Sequence, residues 1–199
     1  MKVRGIAVLC LLAMTSLPAL AQDKKPEEHA MSGAEMDAMM KAGSPGEQQK
    51  HLARMAGDWT YTSKAWMAPG QPPVDSNGTM HAGVLFGGRY VEHTWKGDFM
   101  GMPFEGRGTE GYDNMAKQFV SSWIDNMGTG IMTSTGTCDA AGNVCTLTGD
   151  SMDPMSGQKM TMKSVITWSG NDSFKNEMYV KDPSGNEMKM MEITATRKK

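Results

Sequence analysis

The chain predicts an all-β fold: a closed, up-and-down antiparallel β-barrel of about ten strands with a short N-terminal helix. Three observations carry this. After Gly57 the apolar residues recur at a period of about 2 instead of about 3.6, and they do so to the C-terminus. Nearly every break between the runs is a tight turn signal: Gly87-Gly88, Asp113-Asn114, Gly142-Asn143, Gly170-Asn171. The runs are also bracketed by Gly57-Asp58-Trp59 at the start and by Arg197 at the end of the last apolar run. Barrel closure brings first and last strands together, so the Arg197 guanidinium can cover the Trp59 indole and seal that end.

The elements follow in order. Lys2 and Arg4 precede an apolar run from Ile6 to Leu20, and Ala19-Leu20-Ala21 supplies a small-x-small cleavage signal. Residues 1–21 therefore read as a signal peptide, too short for a membrane span, and predict a protein released to the periplasm or secreted. Residues 22–46 read as a flexible, methionine-bearing tether with one weak helical stretch around Ala34 to Lys41. The single domain spans 47–199. It opens with a helix from Glu47 whose Leu52, Met55 and Ala56 share a face, stopped by Gly57.

The predicted strands are Trp59–Met67, Gly78–Phe86, Arg89–Lys96, Phe104–Tyr112, Gln118–Asn126, Gly130–Cys138, Val144–Ser151, Lys159–Trp168, Ser173–Lys181 and Glu187–Arg197. Hairpin-length links mean a meander, because a parallel crossover needs about a dozen residues. The long break from Ala68 to Asn77, with Pro69, Pro72 and Pro73, is expected to be an ordered rim loop. Cys138 and Cys145 face each other if Ala140 to Asn143 forms a four-residue hairpin loop. In an exported chain such thiols oxidise to a disulfide; the alternative is two reduced, small side chains.

The chain carries 20 Lys+Arg and 22 Asp+Glu, and removal of Lys2 and Arg4 with the leader leaves 18 against 22, a net charge of −4. Without a basic stripe there is no expectation of nucleic-acid binding. No later segment is apolar enough to span a bilayer as a helix, and the oligomeric state is left open.

Several motifs now make the chain specific: Gly57-Asp58-Trp59, Gly87-Gly88-Arg89-Tyr90, Met102-Pro103-Phe104-Glu105-Gly106, Gly111-Tyr112-Asp113-Asn114, Trp123-Ile124-Asp125-Asn126-Met127 and Glu192-Ile193-Thr194-Ala195-Thr196-Arg197. Through them the chain resembles the bacterial domain-of-unknown-function 1579 family, from Leu52 to the C-terminus. The resemblance implies a calycin-like barrel, related to lipocalins, fatty-acid-binding proteins and nitrobindin-like haem barrels. It implies no defined activity. Haem and copper both stay open as cofactors.

Site expectations follow from strand alternation and chemistry. Trp123 with Asp125 is the first choice for lining an interior that takes a small hydrophobic or amphipathic ligand, with Met178 adding apolar contact. His93 alternates with Val91 and Trp95 on an apolar face; it is either a ligand-anchoring group or a hydrogen-bonded core histidine. Arg107 is a candidate for a ligand's polar end, although with Glu92, Glu110 and Asp125 it also fits a solvent face.

Methionine is the compositional outlier, with 22 in the chain. Met178, Met191, Met67 and Met100 fit barrel packing. Met160, Met162, Met188 and Met190 fall at period 2 on one sheet face. His29, Met31, Met36, Met39 and Met40 form a second, separate candidate site, for copper or another soft metal, since thioethers select Cu(I). The competing reading is a docking face.

Gly106-Arg107-Gly108-Thr109-Glu110-Gly111 matches a dinucleotide fingerprint by letter, but a strand follows where the fingerprint needs a helix. Its glycines instead suit close approach or a bulge inside a curved strand. No zinc, serine-hydrolase or phosphate-loop spacing is present, so catalysis has no recognised carrier. The remaining reading is a fully packed barrel acting as a structural or interaction protein.

Overall fold

The computed structural model describes residues 31–153, 156–181 and 185–199; the leader and His29 lie outside the described residues. Helices α1 (Gly33–Ala42) and α2 (Glu47–Ala53) precede ten strands: β1 (Gly57–Ala65), β2 (Val74–Leu85), β3 (Tyr90–Phe99), β4 (Met102–Asp113), β5 (Gln118–Asp125), β6 (Met132–Cys138), β7 (Val144–Met152), β8 (Lys159–Trp168), β9 (Ser173–Lys181) and β10 (Glu187–Arg197). Consecutive strands pair antiparallel and β1 pairs with β10, so the barrel closes and leaves no sheet edge. Trp59 is the direct cross-strand partner of Arg197. The guanidinium lies 4.2 Å from the indole centroid, as the two ends of the sequence implied.

Ser32 caps α1 reciprocally with Glu35, each supplying a side-chain oxygen to the other's backbone N–H. That cap ties α1 to itself, and no residue of α1 is buried. Helix α2 is bound to the barrel. Gln49 is buried and donates to the Tyr112 carbonyl at 3.1 Å and to Asn114 Oδ1 at 3.0 Å. Asn114 in turn donates to the carbonyls of Ala42 and Ser44.

Several boundaries differ from the sequence expectation. The rim loop is shorter, because β2 starts at Val74: its polar Asp75, Ser76 and Asn77 hide a strand that the Ser63–Ser76 hydrogen bond (2.7 Å) and the Lys64–Asp75 ion pair (2.9 Å) pin to β1. Strands β3 and β4 run on to a two-residue turn, Met100-Gly101, with φ of 55° and 79°, the all-positive conformation that matches hairpin twist. Helix α2 ends at Ala53, before Gly57, which instead begins β1 at φ 123°, a place that suits glycine since a Cβ there would sit 2.7 Å from Arg197 Nη1.

One end of the barrel is closely packed. Trp59, Phe174 and Trp168 meet with centroid separations of 5.3, 5.0 and 6.0 Å, and Trp59 Nε1 donates to the Met55 carbonyl at 2.8 Å. Leu52 and Met55 close over them. Arg54 stacks 4.2 Å above Trp168 and donates to the Gly142 carbonyl; burial pushes its guanidinium below the ordinary arginine range. A cavity of about 30 Å³ remains under α2, lined by Met55, Glu110, Phe119 and Leu147, room for a water or two.

Cys138 and Cys145 are disulfide-bonded across this end, directly paired with Cα atoms 3.9 Å apart. Asp139 and Val144 frame the 140–143 loop with one backbone bond (2.9 Å). Because the bridge closes so short a loop, replacing both cysteines with serine is expected to lower stability by only about 2 kcal/mol, measured by chemical denaturation. A loss above about 4 kcal/mol would mean that the bridge does more than restrict the unfolded chain.

Candidate functional site

Partners in an antiparallel pair share a face, so the register sorts every strand residue inward or outward. Inward residues near α2 are buried: Phe119 4% exposed, Leu147 5%, Phe174 4%, Ala195 0%. Further along the same strands the inward side chains become half-exposed, among them Trp123, Met132, Met162, Met178, Met188 and Met191. In a closed barrel, solvent reaches an inward side chain only through an open end. We call this less covered half of the interior, above the aromatic plug and away from α2, the cup.

The cup is one-sided. Along β1 the inward Trp59, Tyr61, Ser63 and Ala65 are all buried, and Tyr61 packs on Trp95 at 4.9 Å. Gly78 and Gly97 pair beneath Tyr61, where a Cβ would approach the phenol ring and oxygen to 2.7 and 2.4 Å. The opposite wall, β6 to β10, carries methionines alternating along and across strands. Met178 is the direct partner of Met191, while Met162 and Met188 flank Val180.

A bulge between Lys189 and Met191 takes Met190 out of the row, so Met191 rather than Met190 accompanies Met188 inward. Outside this wall, Lys189 Nζ bonds to Glu177 and, at 2.9 Å, to Glu192. Those bonds hold the ammonium well above the ordinary lysine range and the Glu177 carboxyl below its own.

The polar candidates are joined to one another. Trp95 Nε1 donates to His93 Nδ1 at 2.8 Å, and since indole only donates, the His93 proton sits on Nε2, facing Glu110 Oε1 at 3.4 Å. His93 is 6% exposed and stacks on Trp123 at 6.0 Å. Trp123 Nε1 donates to Asp125 Oδ2 at 2.8 Å, and the Met127 N–H occupies Oδ1 at 3.0 Å. The rings lie flat against the wall because Gly106 and Gly108 stand under them: a Cβ would meet Trp123 at 2.3 Å and His93 at 2.2 Å. The register through these glycines is unbroken, so they serve close approach and not a bulge.

Each candidate thus has a place. Trp123 and Met178 line the cup. Asp125 and His93 face inward with their polar atoms engaged. Glu110 is also inward, with 15% of its side chain exposed, against a solvent-face expectation. Arg107 lies on the outer face, 61% exposed and 3.3 Å from Glu92, in a shallow cleft of about 400 Å³ with Thr94, Lys96 and Ile124. Met67 and Met100 are exposed at the rim, not packed inside.

Met36, Met39 and Met40 share an uncovered face of α1, and Met31 precedes it, also exposed. For a haem, an axial imidazole would have to come from inside; His93 is the inward histidine of the described strands and both its nitrogens are engaged, so it does not fit. His81 points outward and bonds to Asp58 at 2.8 Å.

Among the inward polar residues that escaped the sequence reading, Asn176 has a buried, unpartnered oxygen, Oδ1. It sits between Phe174 and Met178 on β9, partnered with Ile166 and Ile193. The period-2 row on β9 was the signal that could have found it.

A family model described as a protein of unknown function, DUF1579, matches residues 44–197. No curated protein matches the chain. Among solved structures, Rv2717c from M. tuberculosis is similar at 12% identity and a TM-score of 0.56, covering 78% of this chain and 100% of its own. A redesigned β-barrel matches at 16% identity and a TM-score of 0.39, covering 78% of this chain and 99% of its own. At such identity the likeness to Rv2717c extends to the fold alone.

Proposed function

We propose, from the premise that this chain belongs to the DUF1579 family of proteins of unknown function, that it binds a small apolar or amphipathic molecule in the open half of its barrel. The observation that supports this is the burial gradient: inward residues are sealed beside α2 and half-exposed on the methionine-bearing side of the cup. A methionine wall suits this role because unbranched, polarizable side chains repack around guests of different shape. Trp123 offers a ring face, and the packed β1–β3 side is a rigid back plate. No reaction is assigned: Asp125 is held by Trp123 and Met127, and His93 by Trp95 and Glu110.

The same reading takes the protein as exported, with cleavage after Ala21, on the support of its leader sequence and its cystine. Gentle ionisation of the full chain purified from its host is expected to show an added small-molecule mass. The stripped protein is expected to shift Nile red emission to that of an apolar site. Met178→Asn should weaken Nile red roughly five-fold by removing apolar contact. Folded protein that leaves Nile red at its aqueous emission would rule the cup out as a binding site.

A further inference from the structure

We infer that Asn176 is the polar anchor of the cup, and that the guest is an amphipathic molecule with an uncharged hydrogen-bonding head, such as an alcohol or amide, that enters head first. This deepens the ligand-binding reading above and rests on it.

Three observations support the inference. First, several inward polar groups have partners within the protein: Ser63 with Ser76, His93 with Trp95, and Asp125 with Trp123 and Met127. Asn176 has none among the described residues, and its Oδ1 is enclosed while the residue as a whole is half-exposed. A buried carboxamide oxygen without a partner costs about 1–3 kcal/mol, so a partner that binds beside it gains what the protein alone forgoes. Because rotating the amide about its Cβ–Cγ bond exchanges oxygen and nitrogen, either a donor or an acceptor on the guest can be met.

Second, height. Asn176 lies one inward position above Phe174, on the floor of the cup, while Met178 and Val180 continue the same row toward the mouth. A polar group at the floor and apolar groups above it fit a head-down guest whose tail runs along the methionines.

Third, charge. The inward ionisable groups of the described strands include Asp125 and Glu110, while Arg107, Lys163 and Lys189 are outward by register. With carboxylates facing inward, and the inward Arg197 held at the closed end by Asp172 and backbone carbonyls, an anionic head would enter a repulsive interior without a free counter-charge. A fatty carboxylate is thereby disfavoured and a neutral head favoured.

The test is displacement of Nile red by heptanol, octane and heptanoate at neutral pH, from the wild-type chain and from Asn176→Leu, which keeps the branched shape, with bulkier methyl ends, and removes the amide. Nile red should bind both proteins alike. The preference for heptanol over octane should fall roughly ten-fold in the variant, and heptanoate should displace less well than heptanol from both.

Equal preference in the two proteins overturns the anchor and leaves the cup standing, whereas failure of Nile red to enter either overturns the cup itself. Heptanoate matching or surpassing heptanol overturns the neutral-head assignment. Should Asn176→Leu not fold, nitrogen-labelled wild-type protein decides. The Asn176 side-chain amide signals are expected to move on adding heptanol and to stay with octane; no movement with either overturns the anchor.

Discussion

Replacing Arg197 with alanine is expected to lower stability by about 3 kcal/mol, equivalent to a fall of about 6–12 °C in the thermal midpoint. The reason is the number of groups that the guanidinium serves at once. It donates to the carbonyls of Ala56 (2.6 Å), Arg54 (2.7 Å) and Asn171 (2.9 Å) and to Asp172 Oδ1 (2.9 Å), and it covers Trp59, whose side chain is fully buried.

Alanine leaves the carbonyls at the α2–β1 junction without a donor and opens the indole face to water. The desolvation cost of those carbonyls outweighs the stacking lost, which accounts for about 0.5–2 kcal/mol. Arg197→Lys is expected to recover less than half, since an ammonium cannot serve three directions in one plane. Thermal melting followed by circular dichroism measures both. A midpoint within about 2 °C of wild type for Arg197→Ala would show that the barrel closes without its bracket.

The second large effect is expected at Gly108. A methyl group there would stand 2.2 Å from His93 Cε1 and 2.6 Å from Nε2. The ring cannot simply turn aside, because Trp95 bonds to Nδ1 on one flank and Trp123 stacks on another. Gly108→Ala should therefore cost about 2–4 kcal/mol, from overpacking together with loss of the Trp95–His93 bond.

The diagnostic is a double-mutant cycle. Gly108→Ala combined with His93→Ala should be more stable than Gly108→Ala alone, because removing the ring removes the clash. If the two losses add, the glycine matters for its backbone and not for the ring above it. Gly106 beneath Trp123 is built the same way.

Much of this architecture was legible before any coordinates. The ends of β8, β9 and β10 match the sequence boundaries because each run lies between turn residues, among them glycines at positive φ such as Gly157, Gly170 and Gly185. The first strand of the β2–β3 hairpin was read short at its start, since Asp75, Ser76 and Asn77 have low strand propensity and are held there by pairing with β1.

The functional residues were less legible. Strand alternation offered His93 and Trp123 as inward candidates and left Asp125 between an interior and a solvent face, yet it could not show that Trp123 bonds to Asp125 while His93 bonds to Trp95 and stacks on Trp123. That depends on which strand lies beside which, and at what register. Arg107 and Glu92 turned outward for the same reason, and Met190 left its row through a bulge that no local pattern announces.

By itself the sequence determined the barrel, its closing pair Trp59 and Arg197, and the facing cysteines, because period, turn chemistry and chain order are local properties that add up along the chain. Only the tertiary structure decided that the interior is tightly packed at one end and less covered toward the other, and that Asn176 Oδ1 is buried without a hydrogen-bond partner among the described residues. Burial and hydrogen-bond satisfaction belong to residues distant in sequence that meet across a closed sheet.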